Sequence, residues 1–330
     1  MTLCPSRRRA LALAAAVPLT GLAARPTATL AADWPDRPIR VIVPFAAGGA
    51  SDILARAIAP RLSETLRQPV LVDNRPGAGG TLGADLVAKA PPDGHTVLLS
   101  DVAAWTISPS LYPKLPYQAK DLAPVINLAV FAHILIAPPN GAVGSVAQLL
   151  AQERAQPGRL SVASSGNGTS THLTAEMFNA ATGARLVHVP YKGGGAALAD
   201  VMGGQVPLMF IGTPPAMPLI ASGKLRAIAV TTSRRMAALP NVPTVAESGV
   251  PGFESIAAQG VFAPAGTPRE VIARLNAEIA RILAQPDMQE RLASLGAEPI
   301  RNDPAQFGEW LGAESVKWSR VVRDSGAKPD

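Results

Sequence analysis

One cysteine, Cys4, stands in 330 residues, and it lies so near the N-terminus that a chain losing its leader would have none. Such a mature chain has no thiol catalysis, no thiolate metal site and no disulfide, and it suits an oxidising compartment. Aromatic residues are scarce at 4%, too few for the stacking platforms that hold nucleic acid. The four histidines, His95, His133, His172 and His188, are widely spread and show no metal-ligand spacing. Charged residues make up only 16% against 48% hydrophobic, a balance that fills sizeable cores and does not describe a disordered chain.

What is present begins with an export pattern. Arg7, Arg8 and Arg9 precede an Ala/Leu-rich run from Ala10 to Ala24, and small residues follow. The run is short for a membrane span and is broken by Pro18, Thr20 and Gly21. A signal peptide over about residues 1–32 is expected, cleaved between Ala28 and Ala32, with the mature protein in the periplasm. Its removal takes away four arginines and no acid, so the formal charge falls from +6 to +2, with 26 basic against 24 acidic residues. The pI of 9.8 therefore belongs mostly to the leader, and no nucleic-acid partner is expected.

From Trp34 onward short apolar runs alternate with helical patterns. "IRVIVPF" reads as a strand, followed by a helix through Leu66 with Ile53, Leu54, Ala57, Ile58, Leu62 and Leu66 on one stripe. "PVLVDN", a glycine turn, "TLGADLVAKA" and "HTVLLS" repeat the theme. A second series starts near residue 131 with "HILIAP" and runs through "LSVASSGNGTS", "THLTAEMFNAATG" and "GGGAALADVMGG". Such alternation predicts an α/β protein of two lobes around largely parallel sheets, with the helical tail packing back on the first.

Two glycine turns carry the chemistry. Gly48 and Gly49 open a helix at the end of a strand, where main-chain amides can face an anion. Taken alone, that loop is equally an ordinary strand-to-helix turn capped by Ser51 or Asp52. Asp52 reads as an organiser of the turn, since a second carboxylate would repel an anion. "VASSGNGTSTHL", residues 162–173, repeats the design in the other lobe and adds Ser164, Ser165, Thr169 and Ser170. Two helix starts offered from separate lobes can clamp a small carboxylate without metal or cofactor. The G-x-G within "GNGTST" lacks a third glycine and an acidic ribose partner, so a dinucleotide site is poorly supported. His172, at the helix start, can touch ligand or simply cap and pack. Tyr191 can wall the cleft, Lys192 reads as solvated, and Trp105 is either a cleft aromatic or core. No G-x-S-x-G elbow occurs, and no catalytic apparatus is assembled in the sequence.

At these loops the sequence resembles the Bug/TctC family, the extracytoplasmic solute receptors of tripartite tricarboxylate transport. The matching phrases include "WPDRPIRVIVPFAAGGASD", "VDNRPGAGGTLGADLVAKAPPDGHTVLL", "SSGNGTSTHLTAEMF", "VPYKGGGAALADVMGGQV" and "LPNVPTVAESGVPGFE", in the family's order. The resemblance implies a two-lobed periplasmic-binding-protein fold, type II-like, with the ligand cleft between lobes joined by two crossover segments. Lobe 1 would comprise residues 33–130 plus 258–330 and lobe 2 residues 131–257, with crossings near Val130 to Leu135 and Ala257 to Phe262. It implies a carboxylate held by Phe45, Ala46, Ala47, Gly48, Gly49, Ser51 and Asp52 from one loop. Ser164, Ser165, Gly166, Gly168, Thr169 and His172 would serve from the other, partly through water. Ser100 and Tyr191 are secondary candidates. It further implies a monomer that is no enzyme and serves the membrane subunits of a tripartite tricarboxylate transporter.

Some positions depart from the family pattern. Ile211 and Gly212 stand where many relatives have Asp-Asn, Ala258 and Gln259 where an aromatic is frequent, and Trp105 where histidine is common. Loss of that acid disfavours an amine-bearing ligand. The competing expectations are an exported α/β hydrolase using a loop serine, or a ligand-sensing component.

Overall fold

The computed structural model describes residues 34–328. The expected leader and its cleavage site lie outside the described residues. Strand β1 (Ile39–Val43) leads into α1 (Ala50–Leu66), which buries Leu54, Ala57, Ile58, Leu62 and Leu66 of the predicted stripe and half-buries Ile53. β2 (Val70–Asn74), α2 (Thr81–Ala88) and β3 (Thr96–Asp101) follow, and β1 pairs in parallel with both β2 and β3. Two short helices, α3 (Ala103–Thr106) and α4 (Ser108–Leu111), precede the sixteen-residue strand β4 (Leu122–Ala137).

The second series is α5 (Val146–Ala155), β5 (Ser161–Ser164), α6 (Ser170–Thr182), β6 (Val187–Pro190), α7 (Gly194–Met202), β7 (Leu208–Gly212), α8 (Thr213–Ala221) and β8 (Arg226–Val230). β5 pairs in parallel with β6 and β7. The chain returns through β9 (Ile256–Pro264) to α9 (Arg269–Leu283), α10 (Pro286–Ser294), β10 (Ala297–Pro299) and α11 (Pro304–Ser325).

The centre is antiparallel, which the periodicity did not show because it marks strands and not their direction. β4 pairs antiparallel with β9 from Leu122 to Ala132, then from His133 it takes β7 and β8 as antiparallel partners. β9 stays with the first sheet along its whole length, and Ser255, just before it, still bonds to Thr231 of the second series. The second change of sheet thus falls at Ser255–Ile256, slightly ahead of the expected Ala257 to Phe262.

Each sheet is covered on both faces, as a parallel-type sheet must be. In the first, α1 and α9 contribute Leu54, Leu62, Leu275 and Ile279 to one core, while Ala84, Val87, Phe307 and Leu311 fill the other face. In α9, Val271, Leu275, Ile279 and Ile282 recur at the spacing that keeps one helical stripe inward. In the second sheet, Leu149, Phe178 and Phe210 lie on one side and Ala197, Leu198, Val201 and Ala216 on the other. The tail departs from expectation. Trp318 and Val322 of α11 pack with Ala103, Ile107 and Leu111 and also with Leu173 of α6. At 1.5 Å per residue, a 22-residue helix reaches about 33 Å, enough to touch both halves.

Phe178 is fully buried, with its ring 5.6 Å from Phe210 and 6.2 Å from Phe253 between centroids. Phe178→Ala should lower unfolding free energy by about 3–5 kcal/mol, through lost transfer energy and the cavity left behind. Urea denaturation followed by circular dichroism checks this.

Candidate functional site

The two glycine turns face each other. A cavity of about 410 Å³, open mouth included, is lined by Phe45, Gly49, Ala50 and Ser51 from the first turn and by Ser165, Thr169, Ser170 and Thr171 from the second. Gly194 adds a third helix start, and the inner wall is Asp101, Phe131, His133, Ile211, Gly212 and Gln259. The helices that begin here, α1, α6 and α7, run for 17, 13 and 9 residues, so each presents unpaired first-turn amides and a positive dipole end. Neither α1 nor α7 has a side-chain cap, leaving those amides available; α6 is capped by Thr169, which accepts from the His172 amide at 3.4 Å.

The loops approach at main-chain distance. The Ala46 amide donates to the Lys192 carbonyl at 3.1 Å, and Gly195 lies so close that a β-carbon there would be 2.4 Å from the Ala47 carbonyl oxygen. Only a residue without a side chain permits that contact. Toward solvent the cleft widens into a second space of about 630 Å³, bounded by Phe45, Gly77 to Gly80, Ser165 to Asn167 and Pro190 to Lys192.

The predicted residues divide by position. Phe45, Gly49, Ser51, Ser165 and Thr169 line the inner cavity, and Gly166 and Tyr191 line the outer space. Gly48 lies against Gly195. Ala46 and Ala47 meet the second half of the cleft through main chain. Asp52 is buried beneath the first turn, where it accepts from the Gly48 amide at 3.0 Å, from Arg56 at 2.9 Å and from Asn74 at 3.0 Å. Burial pushes its carboxyl up, but those donors outweigh burial and hold it below the ordinary carboxylate value. Its role in the structure is to set the turn.

Ser100, Ser164, Gly168 and His172 stand behind the lining. Ser100 is fully buried with no partner for its hydroxyl among the described residues, because strand alternation turns it away from the cavity that Asp101 faces. Ser164 is within 2.6 Å of His188 Nε2. Gly168 donates its amide to His172 Nδ1 at 3.2 Å, and the His172 ring stacks on His188 with centroids 4.0 Å apart. His172 therefore braces the second turn from below. The Tyr191 hydroxyl donates to Asp200 at 2.6 Å, fixing the ring at the outer wall. Lys192 is exposed, and Trp105 packs partly buried on the core that holds Phe262 and Phe307.

Sequence reasoning missed the inner wall. Ser170 Oγ donates to Asp101 Oδ2 at 2.5 Å, and His133 Nε2 lies 3.0 Å from the same hydroxyl. His133 Nδ1 lies 3.2 Å from both Thr174 and Ser255 hydroxyls. Ser51 donates to Gln259 at 2.6 Å. A strand-end carboxylate one residue beyond Ser100 was the available signal for Asp101. Ile211, Gly212 and Gln259 had been marked only as departures from a family pattern. Burial raises Asp101 above its ordinary value against the bonds from Ser170 and Ala103. Burial lowers His133 to about 4. Burial, and then the adjacent His188, lower His172 to about 3.

Two covered α/β sheets joined at β4 and β9, with a lined cleft at the helix starts, define a two-lobed periplasmic solute-binding protein, the class found among similar solved structures. The chain belongs to the tripartite tricarboxylate transporter family receptors, whose TctC model matches residues 54–327. It is 40% identical over 297 residues to protein BugT of Bordetella pertussis, spanning 89% of this chain and 91% of that one. Among solved structures it is similar to R. palustris Rpa4515 with adipate, at 37% identity and a TM-score of 0.87, covering 90% of this chain and 100% of that one. It is likewise similar to MatC of Rhodopseudomonas palustris with bound malate, at 35% identity and a TM-score of 0.84, covering 88% and 100%. Among the described residues no helix is long and apolar enough to cross a membrane.

The two buried imidazoles fix the sign of a pH effect. Unfolded histidine takes up a proton near its ordinary 6.5, whereas His133 and His172 stay neutral until about 4 and about 3. The unfolded state therefore binds more protons below 6.5, and stability present at pH 7 is lost as pH falls. Each histidine should contribute up to about 1.4 kcal/mol per pH unit in that window. Asp101 and Glu176, both raised by burial, act in the opposite sense. Urea titrations at pH 7, 6 and 5 should show that lowering the pH costs the unmodified protein more stability than it costs His172→Asn.

Proposed function

We propose that the protein is an exported receptor that captures a small organic carboxylate between its lobes and delivers it to the membrane subunits of a tripartite tricarboxylate transporter. The observation that carries this reading is the convergence of three helix starts on one cavity whose lining contains no lysine or arginine. Such a site attracts an anion through fixed main-chain dipoles and hydroxyls. The adipate and malate complexes of similar proteins support a carboxylate as the solute class. The ligand would contact Gly49, Ser51, Ser165, Thr169 and Gly194, with Phe45 and Tyr191 toward the mouth. Lobes over residues 33–130 with 258–330, and over 131–257, are supported by the changes of sheet at Ala132–His133 and Ser255–Ile256.

The hydrolase reading finds less support in the inner wall. In a serine triad the imidazole takes the serine proton and an acid steadies its far nitrogen. Here Ser170 directs its proton to Asp101, and the far nitrogen of His133 faces hydroxyls.

A panel of purified small carboxylates should raise the melting temperature for some members while every solute is recovered unchanged. Consumption of solute would reject the receptor reading, and a panel without any stabilising member would reject the solute class. Gly195→Ala should weaken the best binder about tenfold, about 1.4 kcal/mol, because its new methyl meets the Ala47 carbonyl. The free variant should also melt lower, because the same methyl strains the backbone contact between the two turns, so affinity is compared on protein shown to be folded. Calorimetric titration of the two proteins measures the difference.

A further inference from the structure

The cavity is electrically asymmetric. Three helix starts supply its donors, while the inner wall supplies one carboxylate, Asp101, whose side chain is almost wholly withdrawn from solvent. A carboxylate offers about four acceptor positions. Two are used: Oδ1 accepts from the Ala103 amide at 2.8 Å, and Oδ2 accepts from the Ser170 hydroxyl at 2.5 Å. Both donors are neutral. No arginine or lysine pairs with Asp101 among the described residues, and the nearby His133 is held neutral by burial. Acceptor capacity therefore remains on the wall of the cavity, on an acid that no cationic side chain pairs.

Resting on the reading of this cleft as a carboxylate site, we infer that Asp101 sets the class of solute. The cleft takes a monocarboxylate that carries a hydroxyl or ammonium donor close to its acid group, and discriminates against unsubstituted dicarboxylates of the same length. The acid group meets the helix starts, and the donor fills a free acceptor position on Asp101. A second carboxylate placed there would face a like charge in a buried setting, which is unfavourable. The sequence reading looked for an acidic partner at Ile211 and found none; Asp101 supplies one from the other sheet. Gln259, the cross-strand neighbour of Asp101 and bonded to Ser51, continues the same wall with a neutral amide.

The test is calorimetric titration of the mature protein at pH 7 with matched sets of three to six carbons. Each set holds a hydroxy or amino monocarboxylate, its unsubstituted parent and the dicarboxylate of equal length. The donor-bearing member of at least one set should bind tenfold or more tightly than both others. Asp101→Asn, with Asp101→Ser as a second variant, should shrink its advantage over the dicarboxylate to less than threefold. A dicarboxylate that binds the unmodified protein as tightly as the donor-bearing acid overturns the inference and leaves the carboxylate receptor standing. Preference unchanged in folded variants also overturns it. If no member of any set binds, the carboxylate reading itself fails, and the inference falls with it. Should neither variant fold, the ratios on the unmodified protein decide.

Discussion

A single strand serving two sheets is the constraint on which the rest depends. Residues Leu122 to Ala132 of β4 lie in the first sheet, and His133 onward lies in the second, so one strand runs on through both while its partners change. A cleft results because helices covering each sheet must begin at its strand ends, and the strand ends of both sheets look into the gap between them. The inner wall is built where the partners change: Phe131 and His133 come from β4 itself, Gln259 from β9 and Gly212 from the end of β7. Phe131 packs so closely on Gly212 that a β-carbon there would lie 2.4 Å from the ring. The absence of a side chain at 212, a departure from the family pattern, is thus matched by an aromatic ring on the neighbouring strand.

The glycine turns do not act by flexibility. Their value is to let two backbones meet. The Ala46 amide reaches the Lys192 carbonyl, and Gly195 lies under Ala47, so the loops that would hold a solute also touch one another. Beneath each loop a buried polar group sets its shape: Asp52 under the first, and His172 stacked on His188 under the second. These supports differ in charge. Asp52 stays ionised through its donors, while His172 stays neutral through burial. The cradle above them is composed of main chain and hydroxyls and has no side-chain cation of its own, which leaves the single acid of the inner wall unopposed.

Much of this architecture was legible in the residues. Apolar stripes such as Leu54, Ile58 and Leu62, strands bounded by glycine turns, and the order of family phrases gave two α/β lobes and both loops. Strand direction at the centre was not legible, because alternation and apolar runs carry no information about which way a neighbour runs. Ser100 stood as a secondary candidate near a strand end, yet the pleat turns successive residues to opposite sides, and it is Asp101 that faces the cavity. His133 and Ser170 belong together only through contacts 37 residues apart, and Asp101 reaches Ser170 across 69. No local spacing rule spans such distances. The reach of α11 was missed for a similar reason: an amphipathic helix announces that it packs, and not against how many bodies.

That helix bears on any movement of one half against the other. With only β4 and β9 joining the halves, the movement would be a bend of a two-strand ribbon, soft and nearly free of friction. Trp318 and Val322 instead seat among Ala103, Ile107, Leu111 and Leu173, so any separation of the halves must drag a bulky indole across, or out of, a greasy socket shared by both. The halves are therefore held by a packed helix as well as by strands, and part of the stiffness between them resides in a segment remote from the cleft along the chain.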